Sequence, residues 1–306
     1  MTEPDPVHDV GPSGTAPADP RFRSGPPARQ PAPGTDLVAA AEASGVAARA
    51  TWTLAWVRRR CDVWSVAAVP GAAPVAFVKH GCGPEVLGLQ GETQRLQWLG
   101  DRLRGRPDLV SPTVVGARDL DDGYLLATAA LDGIGGHEID AHQLSAPRLA
   151  DTLGRALATL HHALDPQDCP WAVTVSAMVA AAEARLAAGG LQSDQLPEPF
   201  LGRDPADAVR WLGRHVPAEP DDGGVVTHGD AGLPNLLVPV EPDGPIAIID
   251  VGRLGVSDRY RDLSVLVRSF AANHGARHQE RLGRAYGVDG FDAAALDWWR
   301  IADDLW

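Results

Sequence analysis

Apolar and polar positions alternate in short runs over the first part of this chain and recur at helical spacing over much of the rest. The runs Val63 to Val69, Pro74 to Val78, Val110 to Val115 and Tyr124 to Thr128 read as strands. Leu96, Leu99 and Leu103 recur on one helical face, so 91–103 reads as an amphipathic helix with Glu92 in its first turn. An Ala-rich helical stretch begins near Thr35, ahead of the strands. Together these elements describe a small sheet lobe carrying one helix. A connection near 129–136 leads on to Leu149, Leu153, Leu157 and Leu160, which share a helix face, and the second lobe reads as mainly helical. Two short buried strands, Val225 to Val226 and Ile246 to Ile249, interrupt it.

Composition sets the outer limits. The first 36 residues hold nine prolines and four glycines with almost no large apolar side chains, which predicts a disordered tail over 1–36. The tail start, MTEPDPVHDV, has no apolar core, so it reads as neither signal peptide nor anchor. No uninterrupted apolar run reaches membrane-spanning length, and a cytoplasmic location is expected. A formal net charge of -13 disfavours nucleic acid and anionic membrane surfaces as partners and suits a cationic one. Three cysteines, Cys61, Cys82 and Cys169, are widely spaced with no C-x-x-C, and read as reduced.

The chemistry concentrates in 225–255, VVTHGDAGLPNLLVPVEPDGPIAIIDVGRLG. Here His228-Gly229-Asp230 follows one strand, Asn235 comes five residues after Asp230, and Asp250 comes fifteen residues after Asn235, at the end of the second strand. Phosphoryl transfer needs a base facing the acceptor hydroxyl, then an oxygen ligand and a carboxylate on magnesium. The segment supplies all three in that order. His228 and Gly229 read as structural, the imidazole fixing the loop by hydrogen bonds and the glycine permitting its turn; an acid/base role for His228 is the sharper alternative.

One further residue stands apart. Of 27 lysines and arginines, Lys79 is the single lysine, and it ends the strand-like run PVAFV. Where arginine serves every general need for positive charge, a lone ammonium suits a site that wants a point charge on phosphate. Glu92 is its candidate partner, with Glu85 a rival.

On these residues the chain resembles the aminoglycoside phosphotransferases, and within them the 3'-phosphotransferases of antibiotic-producing actinomycetes. IDVGRLGVSDRYRDLS, GETQRLQWL from Gly91, DCPW from Asp168 and the closing IADDLW carry the resemblance, which covers roughly 75–306. It implies an α+β, two-lobed protein-kinase-like fold, with a small, mainly antiparallel N-lobe (37–131) carrying one helix and a larger, mainly helical C-lobe (132–306). It implies Asp230 as catalytic base, Asn235 and Asp250 as magnesium ligands, and Lys79 with Glu92 as the pair that positions nucleotide phosphates. ATP or GTP would bind between the lobes, with adenine against 129–131.

For the acceptor, the resemblance implies Arg253, Glu198, Asp304 and Trp306 as contacts beside Asp230. Two acidic contacts usual in relatives are replaced by Ala272 and Asn273. The expected phosphate loop also differs: 54–66, LAWVRRRCDVWSV, contains no glycine, and Arg58 to Arg60 read as a solvated turn or as substitute phosphate contacts. The resulting expectation is a monomeric or weakly dimeric aminoglycoside 3'-phosphotransferase conferring antibiotic resistance. A kinase of another small hydroxylated metabolite and a nucleotide-binding pseudokinase are the alternatives.

Overall fold

The computed structural model describes residues 32–306 apart from 59, 219, 221, 222 and 240–243. Residues 1–31, most of the expected tail, lie outside the described residues, as does Arg59. In chain order the elements begin with α1 (Thr35–Ala43), which starts inside the stretch assigned to the tail, then β1 (Thr51–Arg58), β2 (Cys61–Ala67) and β3 (Pro74–Gly81). There follow α2 (Glu85–Leu103), β4 (Leu109–Val110), β5 (Val114–Leu120), β6 (Gly123–Ala129) and β7 (Ile134–Gly135). The remainder comprises α3 (Ala146–Ala163), α4 (Val175–Ala187), α5 (Pro205–Arg214), β8 (Val225–Thr227), β9 (Leu236–Val238), β10 (Ile246–Ile248), β11 (Gly255–Ser257), α6 (Tyr260–His274), α7 (Gln279–Tyr286) and α8 (Ala293–Leu305).

Contacts group the described chain into two units. The first runs to Ser145 and takes back Gly232–Leu254; the second joins Ala146–Ala231 to Gly255–Trp306. Grouped this way, the first unit extends to Ser145, beyond the connection expected at 129–136. The segment 232–254 belongs with the first unit because β9 pairs with β7 and β10 pairs with β4.

In the first unit, β1-β2-β3-β6-β5 form an antiparallel sheet. Successive strand residues point to opposite faces. Ala76 and Val78 of β3 join Trp64, Val66, Leu125 and Ala127 in a core closed by Leu37 and Ala41 of α1. Lys79, next along β3, points to the opposite face. There α2 packs against β3, β5 and β6, burying Leu89, Glu92, Thr93, Leu96, Leu99 and Leu103 at helical spacing. The helix starts at Glu85, six residues ahead of the sequence expectation, which puts Glu92 beyond the first turn. A second, four-stranded sheet runs β4-β10-β9-β7, with the apolar β10 buried throughout.

The second unit is helical apart from the β8–β11 ribbon. Its core gathers Trp298 and Trp299 of α8, Trp211 and Leu212 of α5, Met178 of α4 and Phe200. The buried Trp298 indole N–H donates to the Leu212 carbonyl at 2.9 Å, satisfying the one polar atom that the ring brings inside. Against α7, α3 approaches so closely that a Cβ on Gly154 would lie 2.4 Å from the Leu282 carbonyl oxygen. No helix among the described residues is long and apolar enough to cross a membrane.

Candidate active site

In the first unit, the site is built on Lys79. β3 continues past the apolar run to Gly81, so Lys79 sits within the strand, held by β2 on one side and β6 on the other. Its Nζ donates to both carboxylate oxygens of Glu92, at 2.7 and 2.9 Å, and to Oδ1 of Asp250 at 3.0 Å. Glu92, on the buried face of α2, takes the lysine; Glu85 lies at the start of that helix. Burial disfavours the charged amine, but the Asp250 and Glu92 charges outweigh it and hold the Lys79 pKa above its ordinary value. Burial also raises the Glu92 carboxyl, against the pull of Lys79.

Two carboxylates against one ammonium leave a surplus negative charge. It falls on Asp250, whose side chain is 52% exposed, while that of Glu92 is 5% exposed. Asp250 also adopts φ +61, left-handed backbone for a residue with a side chain. Such a conformation costs about 1–3 kcal/mol and persists where the surroundings enforce it. Here β10 fixes the residues before Asp250, and the Arg95 guanidinium of α2 donates to the Leu254 carbonyl just after it, at 2.8 Å.

Strand register brings Asn235 to the same end. Ile248 pairs with Leu236, and the Ile249 N–H donates to the Asn235 carbonyl at 3.0 Å, so Asn235 and Asp250 leave the β9/β10 pair side by side. An amide oxygen and a half-exposed carboxylate beside surplus negative charge form a hard oxygen donor set, which fits magnesium.

In the second unit, the loop 228–230 hangs from one buried carboxylate. Asp262 of α6 accepts the His228 N–H at 2.6 Å and the Gly229 N–H at 2.7 Å, and its Oδ2 lies 3.0 Å from His161 Nε2. Because the carboxylate accepts, Nε2 of His161 carries the proton, and Nδ1 accepts from the Tyr286 hydroxyl at 2.8 Å. Burial opposes the Asp262 charge, yet the His161 hydrogen bond and the nearby Arg261 charge hold its pKa below the ordinary value. Gly229, at φ +83, makes the turn. The Asp230 N–H donates to Nδ1 of His228 at 3.2 Å, so that nitrogen is unprotonated. His228 is wholly buried and Asp230 half buried, which leaves Asp230 as the loop's carboxylate open to an acceptor.

Sequence reasoning missed Asp262. Its signal was available: position 262 falls in phase with Leu266 and Ser269 on the buried face of α6, and a carboxylate there demands partners.

The acceptor-side residues are dispersed. Asp304 is half buried with its side chain turned inward, and its Oδ1 accepts from Arg268 at 3.0 Å, with Asp303 on the same guanidinium at 3.2 Å. Arg268 thus already occupies the acid expected to meet a substrate amine. Arg185 donates to the backbone oxygens of Asp304 and Trp306 at 3.2 and 2.8 Å, and the Arg261 guanidinium lies 5.3 Å from the centre of the Trp306 ring. Glu198 is exposed and its carbonyl accepts from Arg300 at 2.9 Å. Arg253, half buried, belongs to the first unit. Arg60, at the β1–β2 turn, is exposed.

Comparison with known proteins supplies the family. Residues 76–299 match the model of the phosphotransferase enzyme family. An aminoglycoside 3'-phosphotransferase of Escherichia coli is 29% identical over 234 residues, 76% of this chain and 82% of that one. Another from Streptomyces fradiae is 31% identical over 223 residues, 71% of this chain and 79% of its own length. Among solved structures, a type VIII aminoglycoside-3'-phosphotransferase superposes with a TM-score of 0.74 at 25% identity, covering 89% of this chain and 98% of its own. Aminoglycoside phosphotransferase APH(3'')-Id from Streptomyces rimosus gives 0.72 at 25% identity, covering 89% and 97%. The chain belongs to the phosphotransferase enzyme family: it is a phosphotransferase with a hydroxyl acceptor, built on the fold of the aminoglycoside phosphotransferases.

Proposed function

We propose that this protein transfers the terminal phosphoryl group of ATP or GTP to the 3'-hydroxyl of an aminoglycoside, and so confers resistance to it in the cytoplasm, as a monomer or weak dimer. The observation that carries the reading is the Lys79 ammonium fixed by Glu92 and Asp250, with Asn235 aligned beside Asp250 by strand register. Lys79 supplies a positioned charge for phosphate oxygens, and Glu92 holds it in place. Asn235 and Asp250 would hold magnesium, which when bound neutralises charge on the nucleotide phosphates. Asp230 accepts the proton of the attacking hydroxyl and orients its oxygen; transfer passes through a loose transition state, so this positioning outweighs proton removal. Arg253, Glu198 and the Asp304–Trp306 terminus are proposed to shape the acceptor pocket, with Arg268 tempering the charge of Asp304.

Support for the substrate comes from the relatives, whose names specify aminoglycoside 3'-phosphotransferase in both Escherichia coli and Streptomyces fradiae. A second regiochemistry has its own support. A streptomycin 3''-kinase of Streptomyces griseus is 29% identical over 188 residues, and APH(3'')-Id has been solved with ADP and streptomycin.

Nucleotide consumption across aminoglycosides with and without a 3'-hydroxyl, streptomycin included, tests the choice. Turnover confined to 3'-hydroxyl compounds supports the first reading. Turnover of streptomycin alone supports the second, and none with any would exclude both. In the same assay Asp230→Asn should abolish turnover while magnesium-nucleotide still raises the melting temperature; near wild-type turnover would remove Asp230 from the mechanism.

A further inference from the structure

At the far end of β3, on the face opposite Lys79, three potential metal ligands of different chemistry converge: the imidazole of His80, the thiol of Cys82 and the carboxylate of Asp122. His80 and Cys82 are alternate residues, and the Cys82 N–H continues the ladder by donating to the Arg60 carbonyl at 2.9 Å, so both side chains share one face. Asp62, the cross-strand partner of His80 on β2, lies on that face too and adds negative charge. Asp122 arrives from the β5–β6 turn. That turn approaches β3 closely because residue 123 is glycine: a Cβ there would lie 2.3 Å from the Gly81 carbonyl oxygen and 3.1 Å from His80 Nε2.

The ligand atoms are spaced for a small tetrahedral ion. His80 Nε2 lies 3.3 Å from Asp122 Oδ1 and 3.8 Å from Cys82 Sγ, and all three atoms fall within 4.8 Å of one another. Zinc bonds of about 2.0 Å to nitrogen and oxygen and about 2.3 Å to sulfur imply tetrahedral edges of roughly 3.3 Å between N and O and roughly 3.6 Å between N and S. The two separations from His80 Nε2 match these edges with little adjustment, and the sulfur-to-oxygen pair, within 4.8 Å, needs to reach an edge of roughly 3.6 Å on binding. A surface ion pair alone would explain the contact between His80 and Asp122, but not a thiol held at metal-edge distance from the same nitrogen. An N, S and O donor set selects zinc over magnesium or calcium, which prefer oxygen alone.

We propose that His80, Cys82 and Asp122 form a zinc site, with water as fourth ligand, that ties the end of β3 to the β5–β6 turn. Zinc there is separate from the magnesium position at Asn235 and Asp250. It braces the strand that carries Lys79 without taking part in phosphoryl transfer.

The test needs no substrate. Zinc is titrated calorimetrically into the metal-free full-length chain, and cobalt is added to a second sample to read the thiolate-to-metal charge-transfer band. Binding of one zinc per chain at micromolar concentration or below, together with that band, is expected. Cys82→Ser should remove the band, and His80→Ala and Asp122→Asn should each weaken zinc by at least ~10-fold, while Asp250→Asn leaves zinc affinity unchanged. Absence of saturable binding below millimolar zinc, absence of the cobalt band in the unaltered chain, or zinc affinity that survives Cys82→Ser and His80→Ala intact would each overturn the site.

Discussion

Lys79 illustrates how one side chain is defined by what surrounds it. Its ammonium meets both oxygens of Glu92 and one of Asp250 within 3.0 Å, a compact arrangement for a single nitrogen. A guanidinium in its place keeps the charge and can still pair with Glu92, but its planar fork cannot serve Glu92 and Asp250 from one atom. Lys79→Arg should therefore fold normally and lose on the order of 100-fold in kcat/KM for nucleotide, the scale of removing one well-placed charge donor. Steady-state kinetics with melting temperature as control measures it, and unchanged kinetics would show that charge alone suffices. Asp262 makes the complementary case, a charge that serves the fold. Its folded pKa lies below the ordinary 3.8. Between those values the unfolded chain binds the proton and the folded chain does not, so the contribution is complete above about pH 4. It is lost as pH falls through the folded value. Urea midpoints measured on descending pH should show this loss in the unaltered protein and a flatter profile in Asp262→Asn. Above about pH 4 that variant should also be less stable by about 3 kcal/mol, a gap that narrows at lower pH, because the buried N–H groups of His228 and Gly229 and the imidazole of His161 lose their charged acceptor.

Among the elements, the contact of α3 with α7 sets two local preferences against each other. Gly154 lies inside α3, where replacing glycine by alanine ordinarily gains about 1 kcal/mol of helix propensity. Here the added methyl would meet the Leu282 carbonyl oxygen at 2.4 Å and the Ala285 Cβ at 2.9 Å. Both belong to the facing helix, and neither can rotate away. Overpacking of this kind costs about 1–3 kcal/mol and should exceed the propensity gain. Gly154→Ala should then lower the melting temperature, and, since α3 carries His161, loosen the loop that Asp262 anchors. A rise in melting temperature would mean that α7 yields. The same elements show what could be read from sequence. β2, β3, β6 and the buried face of α3 declared themselves by period, because each buries one face against neighbours close in the chain, whereas the run Val110 to Val115, read as one strand, spans the end of β4, a break and the start of β5. The early start of α2 was hidden by Gly88 and Gly91, which weaken local helical signal but are tolerated where the adjoining turns pack on the sheet. β1 escaped notice because Trp52 and Trp56 are only half buried, at the sheet edge. The side-by-side exit of Asn235 and Asp250 follows from two short apolar runs close together in the chain, and so was within reach. The pairings of Asp304 with Arg268 and of Asp262 with His161 were not, since partners 36 and 101 residues apart leave no mark on local pattern.

At the scale of the whole molecule, the formal net charge of -13 acts on everything that approaches. The two proposed substrates carry opposite charge: the aminoglycoside is a polycation, and the magnesium-nucleotide is an anion. A field of one sign should therefore raise the local concentration of the first and lower that of the second. Screening separates this long-range effect from close contacts. Between ~0.01 M and ~0.1 M salt the Debye length shrinks from about 30 Å to about 10 Å, which removes most of the distant field while leaving buried pairs such as Lys79 with Glu92 little changed. Over that range kcat/KM for the aminoglycoside should fall by roughly 10-fold, whereas kcat/KM for the nucleotide should hold or rise. Opposite trends on one enzyme in one buffer series cannot arise from general inactivation, which would depress both. Parallel trends would instead place acceptor recognition in short-range pairs at the pocket and leave the acidic surface to serve solubility alone.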